Sequence, residues 1–290
     1  MFFYITYFSI LHIFLYIMTI ILFGSTGMLG RYVNNVLSQN YNVITFKRED
    51  FDIVNDNWNK LYELFDYNKY EQRIIINCAG TIPQNIHQLK PEYSKYIRAN
   101  TLFPHKLQEI AERYNYKFIH ITTDCVFDGL KDNGLYVESD PHTETNIYGV
   151  SKSLGEHKNA CIIRTSIIGE ELLNRKSLLE WTRRQKNKTI NGYINHRWNG
   201  VTCLTLANLI KQIIDTNRFW TGARHIFSPN TVSKYELCQF INEIYELNIN
   251  INKFETKDKC DKSLASLYVN DWYMIEDIKT QIVKQKNYQF

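Results

Sequence analysis

Apolar residues along this chain collect in short unbroken runs, and most runs give way to helical spacing a few residues later. Residues 20–23 form the first run, followed by a helical pattern over 31–38. Residues 42–46 and 73–77 repeat the theme, with a helical pattern over 58–70 between them. A long helix is predicted over 93–115, a strand over 117–122, a helix opening at Tyr148 and a strand over 160–168. Strands that alternate with helices pair in parallel, so the predicted fold class is α/β, a doubly wound parallel sheet of the Rossmann type. Beyond Gly169 the alternation loosens. Helices are expected over 177–186, 204–214 and 233–247, and a strand over 222–227. This divides the chain into a domain over 18–168, to which 202–228 returns, and a small C-terminal substrate lobe made of 169–201 and 229–290.

Residues 1–17 stand apart: they are apolar, aromatic and uncharged. They lack the basic start and small-residue cleavage site of a signal peptide. They reach the ~20 residues of a membrane span only by consuming the first strand. Met18 stands where that strand would begin. Residues 1–17 are therefore read as a non-native upstream extension, which an intact mass starting at Met1 would overturn; a membrane anchor is the alternative.

Composition changes this picture little. With 44% hydrophobic and 22% charged residues the chain is globular, and its net charge of +4 is scattered. That excludes a dedicated nucleic-acid surface but leaves room for a phosphorylated ligand. Six cysteines form no C-x-x-C pair, and Cys78 and Cys161 sit in apolar runs. They are read as reduced thiols of a cytoplasmic protein, with no metal site. Monomer and homodimer are both left open.

The candidate chemistry lies at the run ends. Gly24, Gly27 and Gly30 recur every third residue where the first run meets its helix. A strand, a tight turn and a helix start with free N–H groups form a cradle for a pyrophosphate. Thr26, Met28 and Leu29 belong to the same cradle. Lys47 and Arg48 close the second run, where a basic pair favours the 2′-phosphate of NADP over the ribose hydroxyls of NAD. Asp52 and Ile53 follow where the adenine would lie. Cys78, Ala79 and Gly80 end the third run with small residues over which a cofactor can pass. Tyr148 and Lys152 share a helix face, where the ammonium is expected to lower the phenol's pKa. Thr123, at a strand end, could meet the tyrosine. Such a set binds a carbonyl oxygen, gives it a proton and stabilises its negative charge.

In this order the motifs resemble the extended short-chain dehydrogenase/reductases. Thr123 to Gly129 and Asn146-x-Tyr148-Gly149-x-x-Lys152 resemble the dTDP-4-dehydrorhamnose reductases, and Arg164-Thr165-Ser166 agrees. The resemblance covers residues 18–230. It implies NADPH as hydride donor and a UDP- or dTDP-linked 4-keto-6-deoxyhexose as substrate, as in rhamnose biosynthesis. It implies Tyr148 as proton donor, Lys152 on the nicotinamide ribose, Thr123 on the sugar carbonyl, Asn100 behind Lys152 through water, and Thr165 near the cofactor.

Two departures follow. Cys125 stands where these reductases have tyrosine, and resembles the cysteine of GDP-fucose synthase and of the plant UDP-rhamnose 3,5-epimerase/4-reductase. If the backbone stays extended, Thr123 and Cys125 point the same way. A Cys125 thiolate, with Lys176 as partner acid and Arg175 behind it, would then add 3,5-epimerase activity. Glu144 stands where the reductases usually have proline, which bears on the substrate loop. The stretch 195–200 is a further candidate for holding the nucleotide sugar. The competing expectation is a non-catalytic NADP-binding protein like the regulatory subunit of methionine adenosyltransferase. The intact Thr123, Tyr148 and Lys152 favour catalysis.

Overall fold

Strand β1 (Thr19–Phe23) is buried along its whole length, and its side chains divide between two cores. Ile20 and Leu22 enter one with Val33, Ile76 and Ile210, while Ile21 and Phe23 enter the other with Leu61, Phe103 and Ile162. A parallel strand covered on both faces has no reason to alternate polar and apolar residues, hence the unbroken runs. The computed structural model describes residues 18–66, 73–83, 92–132, 135–172, 175–269 and 271–290. Residues 1–17 and the end of the helix expected to reach 70 lie outside the described residues.

After β1 the chain forms α1 (Met28–Ser38), β2 (Asn42–Phe46), α2 (Trp58–Asp66) and β3 (Arg73–Asn77). A long helical stretch follows: α3 (Tyr93–Tyr96), a π-helical segment Ile97–Leu102, and α4 (Phe103–Tyr114). Then come β4 (Lys117–Thr123), α5 (Ile147–Leu154), β5 (Cys161–Thr165), β6 (Ile167–Ile168), α6 (Leu178–Arg183), β7 (Thr189–Tyr193), β8 (His196–Trp198), β9 (Val201–Thr202) and α7 (Cys203–Asp215). The chain ends with β10 (Gly222–His225), β11 (Val232–Ser233), α8 (Lys234–Ile244), β12 (Asn250–Phe254), β13 (Cys260–Asp261) and α9 (Ile278–Lys286).

Six strands make a wholly parallel sheet in the order β2-β1-β3-β4-β5-β10. The chain runs outward from β1 to β2 and returns on the other side as β3. That reversal opens a crevice at the carboxyl ends of β1 and β3, where ligands of doubly wound sheets bind. The α/β class and parallel sheet expected from the sequence are both present.

The strand expected over 160–168 is broken into β5 and β6, and β6 leaves the main sheet to pair with β9. The polar stretch after Lys257 supplies β13 and α9. Its Ile278 and Ile282 fill a third core with Trp198, Leu237 and Ile241. At the junction of sheet and lobe, the buried Arg164 guanidinium donates to the Glu156 carboxylate, to His225 Nε2 at 2.7 Å and to His142 Nε2 at 2.8 Å. Among the described residues no helix is long and apolar enough to cross a membrane.

Candidate active site

The crevice is built first by close approach. Gly24 has φ +80°, and a Cβ there would lie 2.6 Å from the Ala79 amide nitrogen; a Cβ on Gly30 would run into the Gly24 carbonyl. Gly27 caps α1 with no side-chain cap, and no acid lies in the helix's first turn. The first amides of α1 are thus left for an outside acceptor, beside exposed Thr26 and Gly27 and followed by Met28 and Leu29. An anionic diphosphate fits this cradle.

The other predicted cofactor residues line the same end of the sheet. Lys47 and Arg48 are exposed just past β2, with the Lys47 amide held by Asp50 Oδ2 at 2.7 Å. Asp52 turns its carboxylate on the amides of Val54 (2.8 Å) and Asn55 (3.3 Å). It shapes the turn rather than reaching outward. The Ile53 carbonyl is held at 3.0 Å by Arg98 Nε, and that guanidinium stacks 4.3 Å from the Trp58 ring. Cys78 donates its amide to the Phe23 carbonyl at 3.0 Å, tying the loop after β3 to that after β1. A Cβ on Gly80 would lie 3.5 Å from Lys152 Nζ, so the loop passes beside this ammonium. Thr165 is buried at the end of β5.

Thr123 ends β4, and Tyr148 and Lys152 lie on α5, whose N-cap Asn146 accepts the Gly149 amide at 2.9 Å. The Thr123 hydroxyl faces the Tyr148 phenol. It also donates to Asp124 Oδ1 at 3.1 Å and accepts the Cys125 amide at 3.1 Å. Lys152 donates to the Ile121 carbonyl at 3.0 Å from a buried position. Burial brings its pKa down to about 8, against the pull of Glu156 and Cys78. Asn100, in the π-helical segment, accepts the Thr81 amide at 2.8 Å and donates to the Thr81 carbonyl and to Ser151 Oγ. It therefore pins the loop after Gly80 to α5, one residue from Lys152. A π-helical turn at such a position fits its common association with functional sites.

Three expectations need correction. Lys152 does not depress the Tyr148 phenol: burial dominates and drives it well above its ordinary value, with Cys125 and Asp124 adding to the rise. The backbone after Thr123 does not stay extended, because Asp124–Val126 forms a 3₁₀ turn. Cys125 nevertheless stays beside Thr123, but burial pushes its thiol up to about 12. Lys176 is exposed on the loop after β6, its amide on the Glu171 carboxylate. Cations act on the Cys125 thiol from Lys262, whose Nζ lies 2.9 Å from Glu144 Oε2, and from Lys234.

Lys262 and Lys234 were not singled out from the sequence. Lys262 lies in the polar tail, with no local pattern to mark it. Lys234 carries one signal, a cation in the first turn of a helix, where anions are favoured. It lines a cavity of about 580 Å³ in the lobe with Leu178, Trp181, Ile190, Asn191, Tyr193 and His196. His196 is the one residue of the candidate stretch 195–200 that reaches this cavity; Asn195 is bonded to Thr256.

A glycine turn at the switch point of a parallel sheet, with threonine, tyrosine and lysine gathered beside it, defines the extended short-chain dehydrogenase/reductase class. The chain belongs to the RmlD substrate binding domain family, whose model matches residues 18–263. It is 29% identical over 230 residues to the dTDP-4-dehydrorhamnose reductase of Aggregatibacter actinomycetemcomitans, spanning 74% of this chain and 75% of that protein. It is 30% identical to the spore coat polysaccharide biosynthesis protein SpsK of Bacillus subtilis, over 49% of this chain and only 50% of that relative. In structure it is similar to the dTDP-4-dehydrorhamnose reductase of Bacillus anthracis in complex with NADP, with a TM-score of 0.79 and 20% identity over 92% of this chain and 98% of that one.

Proposed function

We propose that this protein is an NADPH-dependent reductase of the 4-keto group of a nucleotide-linked 4-keto-6-deoxyhexose, the UDP- or dTDP-linked sugar of rhamnose biosynthesis. The observation that carries this reading is the meeting of the Thr123 hydroxyl and the Tyr148 phenol at the crevice, with Lys152 held on the Ile121 carbonyl of the strand that Thr123 ends, beside an uncapped helix start that fits a diphosphate. Bound there, NADPH supplies the hydride. The amides at the start of α1 would hold its diphosphate, and Lys47 and Arg48 its 2′-phosphate. Lys152 would hold its ribose. Thr123 and Tyr148 would hold the sugar carbonyl, and Tyr148 would pass its proton to that oxygen as charge develops. A phenol whose pKa is raised stays protonated at neutral pH, as a proton donor must.

Epimerisation at C3 and C5 would need a base, and a thiol near 12 is not one at neutral pH. We therefore read Cys125 as a neutral wall of the site and the reaction as a plain reduction. Reduction of UDP- or dTDP-4-keto-6-deoxyglucose and of its rhamno-configured epimer in deuterated water, followed by NMR, tests both points. NADPH consumption without deuterium at C3 and C5 is expected. Deuterium at those carbons, lost in Cys125→Ser, would restore the epimerase. Tight NADPH binding without turnover of any keto-sugar would favour a regulatory, non-catalytic protein.

A further inference from the structure

Lys234 is the first residue of α8. Its N-cap Ser233 and Glu236 form a closed capping box, so Glu236 is bonded to Ser233 and not to the lysine. Among the described residues Lys234 has no hydrogen-bond or ion-pair partner, and its one recorded contact is the Trp198 ring, 5.4 Å from Nζ. The carboxyl acting on it most strongly is Asp124, beyond salt-bridge range, and after that come the thiols of Cys125, Cys238 and Cys260. An ammonium held among thiols and rings, at a helix end that itself favours anions, is costly unless something negative arrives. Lys262, the neighbouring cation, already has Glu144. Lys234 alone faces outward into the cavity walled by Trp181 and Tyr193. It also faces Cys125 and hence the catalytic end of β4.

We propose that Lys234 binds the diphosphate of the sugar nucleotide, with the aromatic cavity taking the base on one side and Tyr148 the sugar on the other. This rests on the nucleotide-sugar reading above and adds the residue that anchors it. An aromatic wall with one convergent cation is the chemistry of a nucleoside diphosphate, not of a free sugar or a dinucleotide already seated on α1.

Calorimetry on the full chain with UDP, dTDP, uridine and thymidine tests it, beside Lys234→Met and Lys234→Arg. The wild type should bind a diphosphate more tightly than its nucleoside. Lys234→Met should weaken the diphosphate at least tenfold, leave nucleoside and NADPH binding unchanged, and raise KM with little change in kcat. Lys234→Arg should keep most of the affinity. Equal diphosphate affinity in wild type and Lys234→Met would overturn the proposal, as would parallel loss of nucleoside and diphosphate, which marks a structural role. A wild type that binds neither diphosphate overturns this proposal and the substrate reading together. Diphosphate binding through Lys234 in a protein that reduces no keto-sugar would overturn only the reductase.

Discussion

The parallel sheet and the lobe beside it differ in how deeply their strands are buried. In the sheet, β1, β3 and β5 are buried along their whole length, so each is written around a short apolar run. In the lobe, β7 and β12 pair with most of their side chains exposed, and β13 beside β8 is only half-buried. The candidate site draws on both regions. Lys152 is fixed by a bond to Ile121 within its own half, whereas Lys234 at the start of α8 and Lys262 after β13 come from the lobe. On the proposed reading the sheet half supplies the proton donor, and the lobe supplies charge and shape. A reductase that keeps the first and varies the second can change its sugar nucleotide without touching its proton donor.

Substitutions can break or sharpen that contrast. The largest effect belongs to the sheet half. Tyr148→Phe should lower kcat by about a thousandfold while NADPH binding, read by fluorescence, stays as it was. Unchanged turnover would remove Tyr148 from the chemistry. Next comes packing: Gly155→Ala should lower stability by about 2–3 kcal/mol in urea denaturation, because the new methyl would meet the Asn100 carbonyl. The third effect is a pair of opposed pH trends. Lys152 titrates near 8 rather than 10.5, so the fold binds fewer protons than the unfolded chain between those values. Its contribution to stability should therefore rise as pH climbs from 8 to 10.5. Turnover that needs the ammonium should instead fall above about 8, and Lys152→Arg should shift that limb upward. A rate limb that does not move would separate Lys152 from turnover. The smallest effect lies between the halves. Glu144→Gln should cost about 1 kcal/mol or less through its pair with Lys262, with a change in KM larger than that in kcat.

The contrast also explains what could be read in the chain beforehand. The sheet, the glycine turn and the neighbourhood of Thr123, Tyr148 and Lys152 were legible because each rests on a short run with its own period. Strands β7, β8 and β13 were missed because they are short and only partly buried, so no apolar run marks them. Asp52 shapes its own turn because an aspartate in a turn bonds its own backbone first. The direction of the tyrosine's pKa was beyond reach because it depends on how deeply the helix is covered. Lys262 was not singled out because nothing in its local sequence places it near Cys125 in space.

The close packing of Gly155 against the π-helical segment has a consequence for mutational scanning. A Cβ at 155 would strike the carbonyl of Asn100, the residue whose side chain pins the Thr81 loop to α5. In a saturation library scored on growth or activity, position 155 would therefore stand out as sharply as the proton donor, though it touches no substrate. Comparing that activity score with protein abundance across the library would separate the two. Position 155 would drop out in both measures, and Tyr148 in activity alone.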